Sequence, residues 1–363
     1  MVAKLGVSLT LLLAASATEA SPWVLPPGRV AVGAGANYQF ANSEFFFEPN
    51  NGMPIGGELP FSLNGQYHGA SFYTSLRAGV FPRFEFELNV PFRVVSYTAD
   101  PVILVPRPMG TPGFEADYYR RNIIDLTRAV AGIADINVSL RYQLVRPPFP
   151  LVISAELKLK MPTGYQGPSG TFGDNPTSAA DFVARAGELV NPQNVRDDVT
   201  LGDGQLDVSP SLLMGMALRS GTFFRLDAGF NFRTAGAGQQ LNGSFRVGQS
   251  IGRTLILYGG ISGLYTFTRG RVIGISVAAI DPTVPAADYG RENNPFYNLL
   301  LREVRLERDQ VDLSGGFIIR INPTTELNFS YGRTVAGRNV AASHSVNLSV
   351  SAATDWGTAP TTR

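Results

Sequence analysis

The chain is 363 residues long, with 16% charged residues, 44% hydrophobic residues and a formal net charge of +1. Soluble domains carry about 25% charged residues and nucleic-acid binders a basic patch or stripe, so both classes fit poorly and no nucleic-acid partner is expected. The absence of Cys removes disulfides, thiolate metal sites and Cys nucleophiles.

Residues 1–20 read as a cleaved secretory signal. Lys4 supplies the positive start and Leu5 to Ala14 a short apolar stretch. Ala15-Ser16-Ala17 and Thr18-Glu19-Ala20 offer two small-residue exits before Ser21. With no Cys after the exit there is no lipid anchor, and the mature chain is expected to start near Thr18 or Ser21. Beyond it no apolar run reaches the roughly 20 residues of a membrane helix.

After Pro27 the period is two. Residues 28–40 put Val30, Val32, Ala34, Ala36, Tyr38 and Phe40 on one face, and residues 67–80 do the same with Ala70, Phe72, Leu76, Ala78 and Val80. The alternation is strictest over 84–94: Phe84, Phe86, Leu88, Val90, Phe92 and Val94 oppose Glu85, Glu87, Asn89, Pro91 and Arg93. That run, about eleven residues, is what a tilted strand needs to cross a bilayer. In 132–144 Leu140 and its apolar neighbours oppose Asp135, Asn137, Ser139, Arg141 and Gln143; in 151–161 Leu157 and its neighbours oppose Ser154, Glu156, Lys158 and Lys160. Residues 204–219 carry Asp207 opposite an apolar row, and 223–234 set Phe224, Leu226, Ala228, Phe230 and Phe232 against Arg225, Asp227, Asn231 and Arg233. Weaker alternation follows over 241–251, with Arg246, and over 254–268. It continues over 308–321, with Arg308 and Asp312, and over 326–335 and 340–351.

Twelve strands are thus predicted. Their connectors alternate between tight turns, such as Phe81-Pro82-Arg83, Ser220-Gly221-Thr222 and Asn322-Pro323-Thr324-Thr325, and long loops near 41–66, 98–131, 162–203 and 269–307. Short periplasmic turns and longer outer loops are the asymmetry of an up-and-down outer-membrane barrel. In hydrocarbon every backbone polar group must pair within the protein, which a closed antiparallel sheet achieves with no edge. The expectation is therefore an all-β transmembrane barrel over 21–352, with a periplasmic tail over 353–363, inserted in a bacterial outer membrane after signal cleavage. The lipid-facing candidates are Phe84, Phe86, Leu88, Val90, Phe92, Phe224, Phe230 and Phe232. The lumen candidates are Glu85, Glu87, Asn89, Arg93, Arg141, Glu156, Lys158, Lys160, Asp207, Arg225, Asp227, Arg233, Arg246, Arg308 and Asp312. Both signs of charge occur on neighbouring strands, where opposite charges stabilise a sheet; Glu87 with Arg141 and Lys160 with Asp207 are expected pairs. The lining either fills a narrow lumen structurally or tunes selectivity.

Several stretches, in order, resemble the outer-membrane transporter family named after the meta pathway of phenol degradation. They are Leu25-Pro26-Pro27-Gly28; Leu76-Arg77-Ala78-Gly79 running on through Phe84-Glu85-Phe86-Glu87-Leu88-Asn89-Val90-Pro91-Phe92; Gly132-Ile133-Ala134-Asp135-Ile136; Lys160-Met161-Pro162-Thr163-Gly164; Leu201-Gly202-Asp203-Gly204; and Tyr331-Gly332-Arg333-Thr334 with Gly337-Arg338-Asn339. The resemblance implies a monomeric or loosely assembled barrel that moves small solutes, often hydrophobic or aromatic, and it brings no fixed substrate motif. Its partners would be membrane lipid, the barrel-assembly machinery and the solute. One departure is the end of the chain: the last strand is expected to stop near Val350, leaving Trp356 inside a tail instead of an aromatic residue at the terminus.

Enzymatic and cofactor readings are weak, and neither a cofactor nor a metal is expected. The two His residues, His68 and His344, are far apart in sequence and form no ligand cluster. His344 and Ser345 point to opposite faces of their strand, which speaks against a Ser–His lipid hydrolase. Asp197, Asp198, Asp203 and Asp207 could hold calcium in a loop, but scattered acidic residues are commonly just solvated. Asp117 to Val130 and Asn298 to Glu307 could form short loop helices. Phe45-Phe46-Phe47 and Tyr118-Tyr119 read as interface anchors or as an apolar slide above the lumen.

Overall fold

The computed structural model describes residues 21–45, 57–103, 123–124, 127–146, 150–164, 200–280, 283 and 299–355. The signal segment, Phe46-Phe47, Tyr118-Tyr119, Asp197, Asp198 and Trp356 lie outside them.

Twelve antiparallel staves close into a barrel. They are β1 (Arg29–Ala41), β2 (Gln66–Phe81), β3 (Phe84–Thr98), β4 (Arg128–Ile133 continued by Ile136–Val145), β5 (Leu151–Met161) and β6 (Asp207–Ala217), then β7 (Thr222–Arg233), β8 (Gln240–Ile251), β9 (Leu255–Thr266), β10 (Asp309–Asn322), β11 (Thr325–Arg338) and β12 (His344–Asp355). Each pairs with its sequence neighbour, and β1 pairs with both β2 and β12, so the sheet has no free edge. Closure sets Arg29 opposite Asp355, bringing both ends of the barrel chain to one rim.

The tight turns gather at that rim, with positive φ at Arg83 (70°) and Gly221 (85°), where the chain reverses within a few residues. At the other rim the long connectors add small sheets. Ser43–Phe45, Glu58–Pro60 and Val340–Ala341 form one; Val272–Ile280 with Leu299–Arg305, and Val102–Ile103 with Ile123–Ile124, form two hairpins. This corrects the loop-helix expectation over Asn298 to Glu307 and, where described, over Asp117 to Val130. These apolar runs find antiparallel partners, so their backbone groups pair between strands instead of within a helix.

The apolar phase points outward on every stave, and the wall exposes Val32, Phe72, Phe92, Phe230, Phe232 and Leu348, each at least 44% accessible. Phe84, Phe86, Leu88, Val90 and Phe224 share this outer face, half-covered by neighbours. The inward phase holds most of the buried charge, including Arg77, Glu85, Arg141 and Glu156. Such an inverted surface is unstable in water but suits a lipid solvent.

Two boundaries differ from expectation. β4 breaks at Ala134–Asp135. β12 continues past Val350 to Asp355, so residues 353–355, expected in a tail, belong to the strand. Ala353 is buried against Trp23 and Ala31, and that packing holds the strand in register to its end.

Candidate functional site

The inward phase encloses a cavity of about 570 Å³. Its wall is built of alternate residues from many staves: Asn37, Glu87, Asn89, Asn137, Ser139, Glu156, Lys158, Arg225, Asp227, Ser244, Arg246 and Asp312 contribute. The lining is polar because the strand period leaves no choice. When Phe86, Leu88 and Val90 turn out, Glu87 and Asn89 must turn in. A smaller recess of about 300 Å³, between Tyr73, Pro91, Asn89, Asn137, Asn328, Ser330 and Asn347, carries the more apolar contacts.

Below the cavity, toward the rim of tight turns, lies a buried ionic layer. Arg141 is 1% exposed and reaches Glu85 (2.6 Å), Glu156 (2.6 Å) and Glu87 (3.3 Å). Arg77 Nε donates to Glu85 at 2.9 Å, and Arg320 pairs with Glu326 at 3.2 Å. The register makes the cluster: Arg77 stands opposite Glu87, and Arg141 opposite both Glu85 and Glu156. The pairing of Glu87 with Arg141 expected from strand heights is thus present.

The segment before β1 enters the barrel through this rim. Trp23 and Leu25 are 3% and 2% exposed and pack on Ala31, Val152 and Ala353. The Leu25 amide donates to Glu85 Oε2 at 2.7 Å, and Ser154 Oγ donates to the Pro22 carbonyl at 2.5 Å. Two wall glycines make the room. A Cβ on Gly215 would lie 2.5 Å from the Pro22 ring and 2.6 Å from Trp23. One on Gly79 would lie 2.6 Å from the Leu25 carbonyl oxygen and closer still to that of Pro26. The segment therefore takes up interior space above the tight turns.

A second network holds the opposite rim. Lys160 Nζ lies 2.6 Å from Asp203, 2.8 Å from Asp207 and 3.8 Å from Asp135; Arg233 reaches Asp203 at 2.5 Å and Asp207 at 3.4 Å. The expected Lys160–Asp207 pair is part of it. Asp135, at the break in β4, accepts the amides of Gly164 (3.0 Å) and Asp203 (3.4 Å), and a Cβ on Gly202 would collide with its carboxylate. Burial works to raise the Asp203 carboxyl, but Lys160 and Arg233 outweigh it and hold the group below the usual carboxylate range. Among the calcium candidates, therefore, Asp203 and Asp207 are already engaged by cations. Among the described residues no group of three His, Asp or Glu side chains could hold a metal.

The other expected residues fall as follows. Arg225 and Arg246 are register partners, with Arg246 stacked 4.6 Å over the Tyr258 ring. Asp227 accepts from Ser244 Oγ, and Asp312 accepts from Gln310 (2.9 Å) and Thr334 (2.8 Å). Arg93 donates to the Tyr67 hydroxyl at 3.1 Å. Arg308 precedes β10 and sits in the field of Asp203, Arg233, Asp207 and Asp312. Arg77, Trp23 and Leu25 are absent from the candidates named above. Arg77 is in the inward phase of residues 67–80 and could have been picked by parity. Trp23 and Leu25 precede any periodicity and carry no signal of their destination.

No family model and no curated protein matches the chain. Among solved structures, a COG4313 outer membrane channel from Pseudomonas putida F1 is similar at TM-score 0.56 and 10% identity, over 91% of this chain and 97% of that one. The translocator domain of the autotransporter NalP from Neisseria meningitidis reaches TM-score 0.42 at 7% identity, over 90% and 89%. The CymD monoaromatic hydrocarbon channel reaches 0.39 at 11%, over 92% and 90%. At such identities the first likeness is one of fold: the chain has the twelve-stranded outer-membrane barrel fold.

Proposed function

We propose that the protein is a passive channel for small solutes in a bacterial outer membrane. The observation that carries this is the inversion of the barrel: a predominantly apolar outer wall around a polar cavity of about 570 Å³. The outer wall then meets acyl chains, and Glu87, Asn89, Lys158, Arg225, Asp227 and Arg246 meet the solute. The cavity limits cargo to small molecules, and the mixed charge gives no strong preference for anions or cations. The resemblance of the sequence extends the range to hydrophobic and aromatic compounds. Tyr73 and Pro91 in the smaller recess are apolar contacts available to them. The chemistry is conduction, not catalysis.

A second reading, a non-conducting barrel, is favoured by one observation, the burial of Trp23 and Leu25 against the wall. Planar-bilayer recording separates the two. The mature chain should give small unitary steps, and removal of residues 21–27 should enlarge them severalfold. An absence of steps from both proteins, each shown to be folded by heat-modifiable migration, would establish the sealed barrel instead.

A further inference from the structure

The chain's two histidines, distant in sequence, flank Phe40 on the outer wall. Phe40 is the register partner of His68 on one side and of His344 on the other, and Arg333 is the next partner beyond His344. All four belong to the outward phase of their staves, so they form one row across β2, β1, β12 and β11. One step nearer the tight turns, the Tyr38 hydroxyl lies 2.8 Å from His68 Nδ1 and the Tyr331 hydroxyl 2.5 Å from His344 Nδ1. The Phe40 ring stacks on His344 with centroids 5.0 Å apart and planes 9° apart. The Arg333 side chain is 45% exposed and pairs with Glu58 of the rim sheet at 3.3 Å.

Height fixes what this row can meet. Val30 opens the apolar row of β1 and Phe40 stands ten residues on, roughly 33 Å along a strand. At a tilt of about 40° that is roughly 25 Å of height, the span of an outer-membrane barrel's apolar band. The row therefore lies where acyl chains give way to headgroups. An aromatic girdle accounts for Tyr38, Phe40 and Tyr331. It does not account for hydrogen-bond donors replacing aliphatic residues in the outward phase of three different staves. In the tautomer in which the Tyr hydroxyl donates to Nδ1, the ring proton sits on Nε2 and the imidazole carries an N–H directed away from its tyrosine. Together with the guanidinium, this is a set of donors for an oxyanion.

We propose that His68, His344 and Arg333 form a binding site for the phosphate of an anionic glycolipid in the outer leaflet, with Phe40 and the two tyrosines packing on its chains. The site rests on the outer-membrane reading above. It predicts that the purified full chain retains diphosphorylated lipid A in native mass spectrometry. The triple variant His68→Ala, His344→Ala, Arg333→Gln should lose at least tenfold in retention, while Gln249→Ala, outward on the far rim, should retain it like the parent. Dephosphorylated lipid A should be retained as weakly by the parent as by the triple variant, and millimolar inorganic phosphate should not displace the lipid. Equal retention of diphosphorylated lipid A by parent and triple variant, retention of the dephosphorylated lipid by the parent as strong as that of the diphosphorylated one, or displacement by free phosphate would each overturn the proposal. If the triple variant does not assemble, His344→Gln and Arg333→Gln separately should each weaken retention, and unchanged retention in both would count against the site. Heat-modifiable insertion into vesicles of zwitterionic lipid reads membrane residence independently, so failure of the site is distinguishable from failure of the channel reading.

Discussion

Arg141 shows how much depends on single residues of the inward phase. One guanidinium reaches three carboxylates, with both short contacts at 2.6 Å. A buried charge left without its partner is costly, about 3–5 kcal/mol. Arg141→Met should therefore lower the unfolding free energy of the vesicle-inserted barrel by about that amount, read as a fall in the urea midpoint. Glu85 does a second job: besides pairing with Arg77 and Arg141 it accepts the Leu25 amide. Asp203 sets the pH response of the rim. Its carboxyl is held below the usual range, so its contribution is complete above the unfolded value, about pH 4, and is lost as pH falls through the lower folded value. Asp203→Asn should cost about 1 kcal/mol at pH 7, and the difference between parent and variant should shrink as the pH is lowered below about 4; a difference that persists in acid would show that the ion pairs are not its source.

At the scale of elements, the N-terminal segment and the break in β4 are two features that depart from regular barrel geometry. Both are accommodated by glycine at close approaches, Gly79 and Gly215 for the segment and Gly164 and Gly202 for the break. In Gly79→Ala the new methyl would meet the carbonyls of Leu25 and Pro26, which are backbone and cannot rotate away. The segment should be displaced, and unitary conductance in a planar bilayer should rise above the parent's; unchanged conductance would mean that the segment does not obstruct the path. The staves themselves were legible in the sequence because strict alternation, as in Phe84 to Val94, has one reading when connectors are alternately short and long. Several things were not. Ser21 to Gly28 lacks any period, so its place inside the barrel depends on a pocket made by β2, β5 and β6. Leu299 to Arg305 looks equally apt for helix or strand, and only its partner Val272–Ile280 decides it. His68 and His344 become neighbours only through the register of β1 with the staves on either side.

The stretches behind the family resemblance converge at the scale of the whole molecule. Leu25 to Gly28, Leu76 to Gly79 and Phe84 to Glu87 meet around Glu85 at one rim; Ala134-Asp135, Lys160 to Gly164 and Leu201 to Gly204 meet around Asp135 and Asp203 at the other. These motifs gather at the two ends of a cylinder, and the wall between them is specified chiefly by the alternation of apolar and polar residues. That alternation carries the central claim, and one paired measurement tests it: insertion of Leu88→Arg and Asn89→Arg into vesicles, read by heat-modifiable migration. Adjacent residues of β3 should diverge. Leu88→Arg should lose about 2–4 kcal/mol of insertion free energy if it lies near the bilayer midplane, whereas Asn89→Arg should insert like the parent. Equal insertion of the two variants would contradict an apolar wall facing lipid and a polar wall facing the lumen.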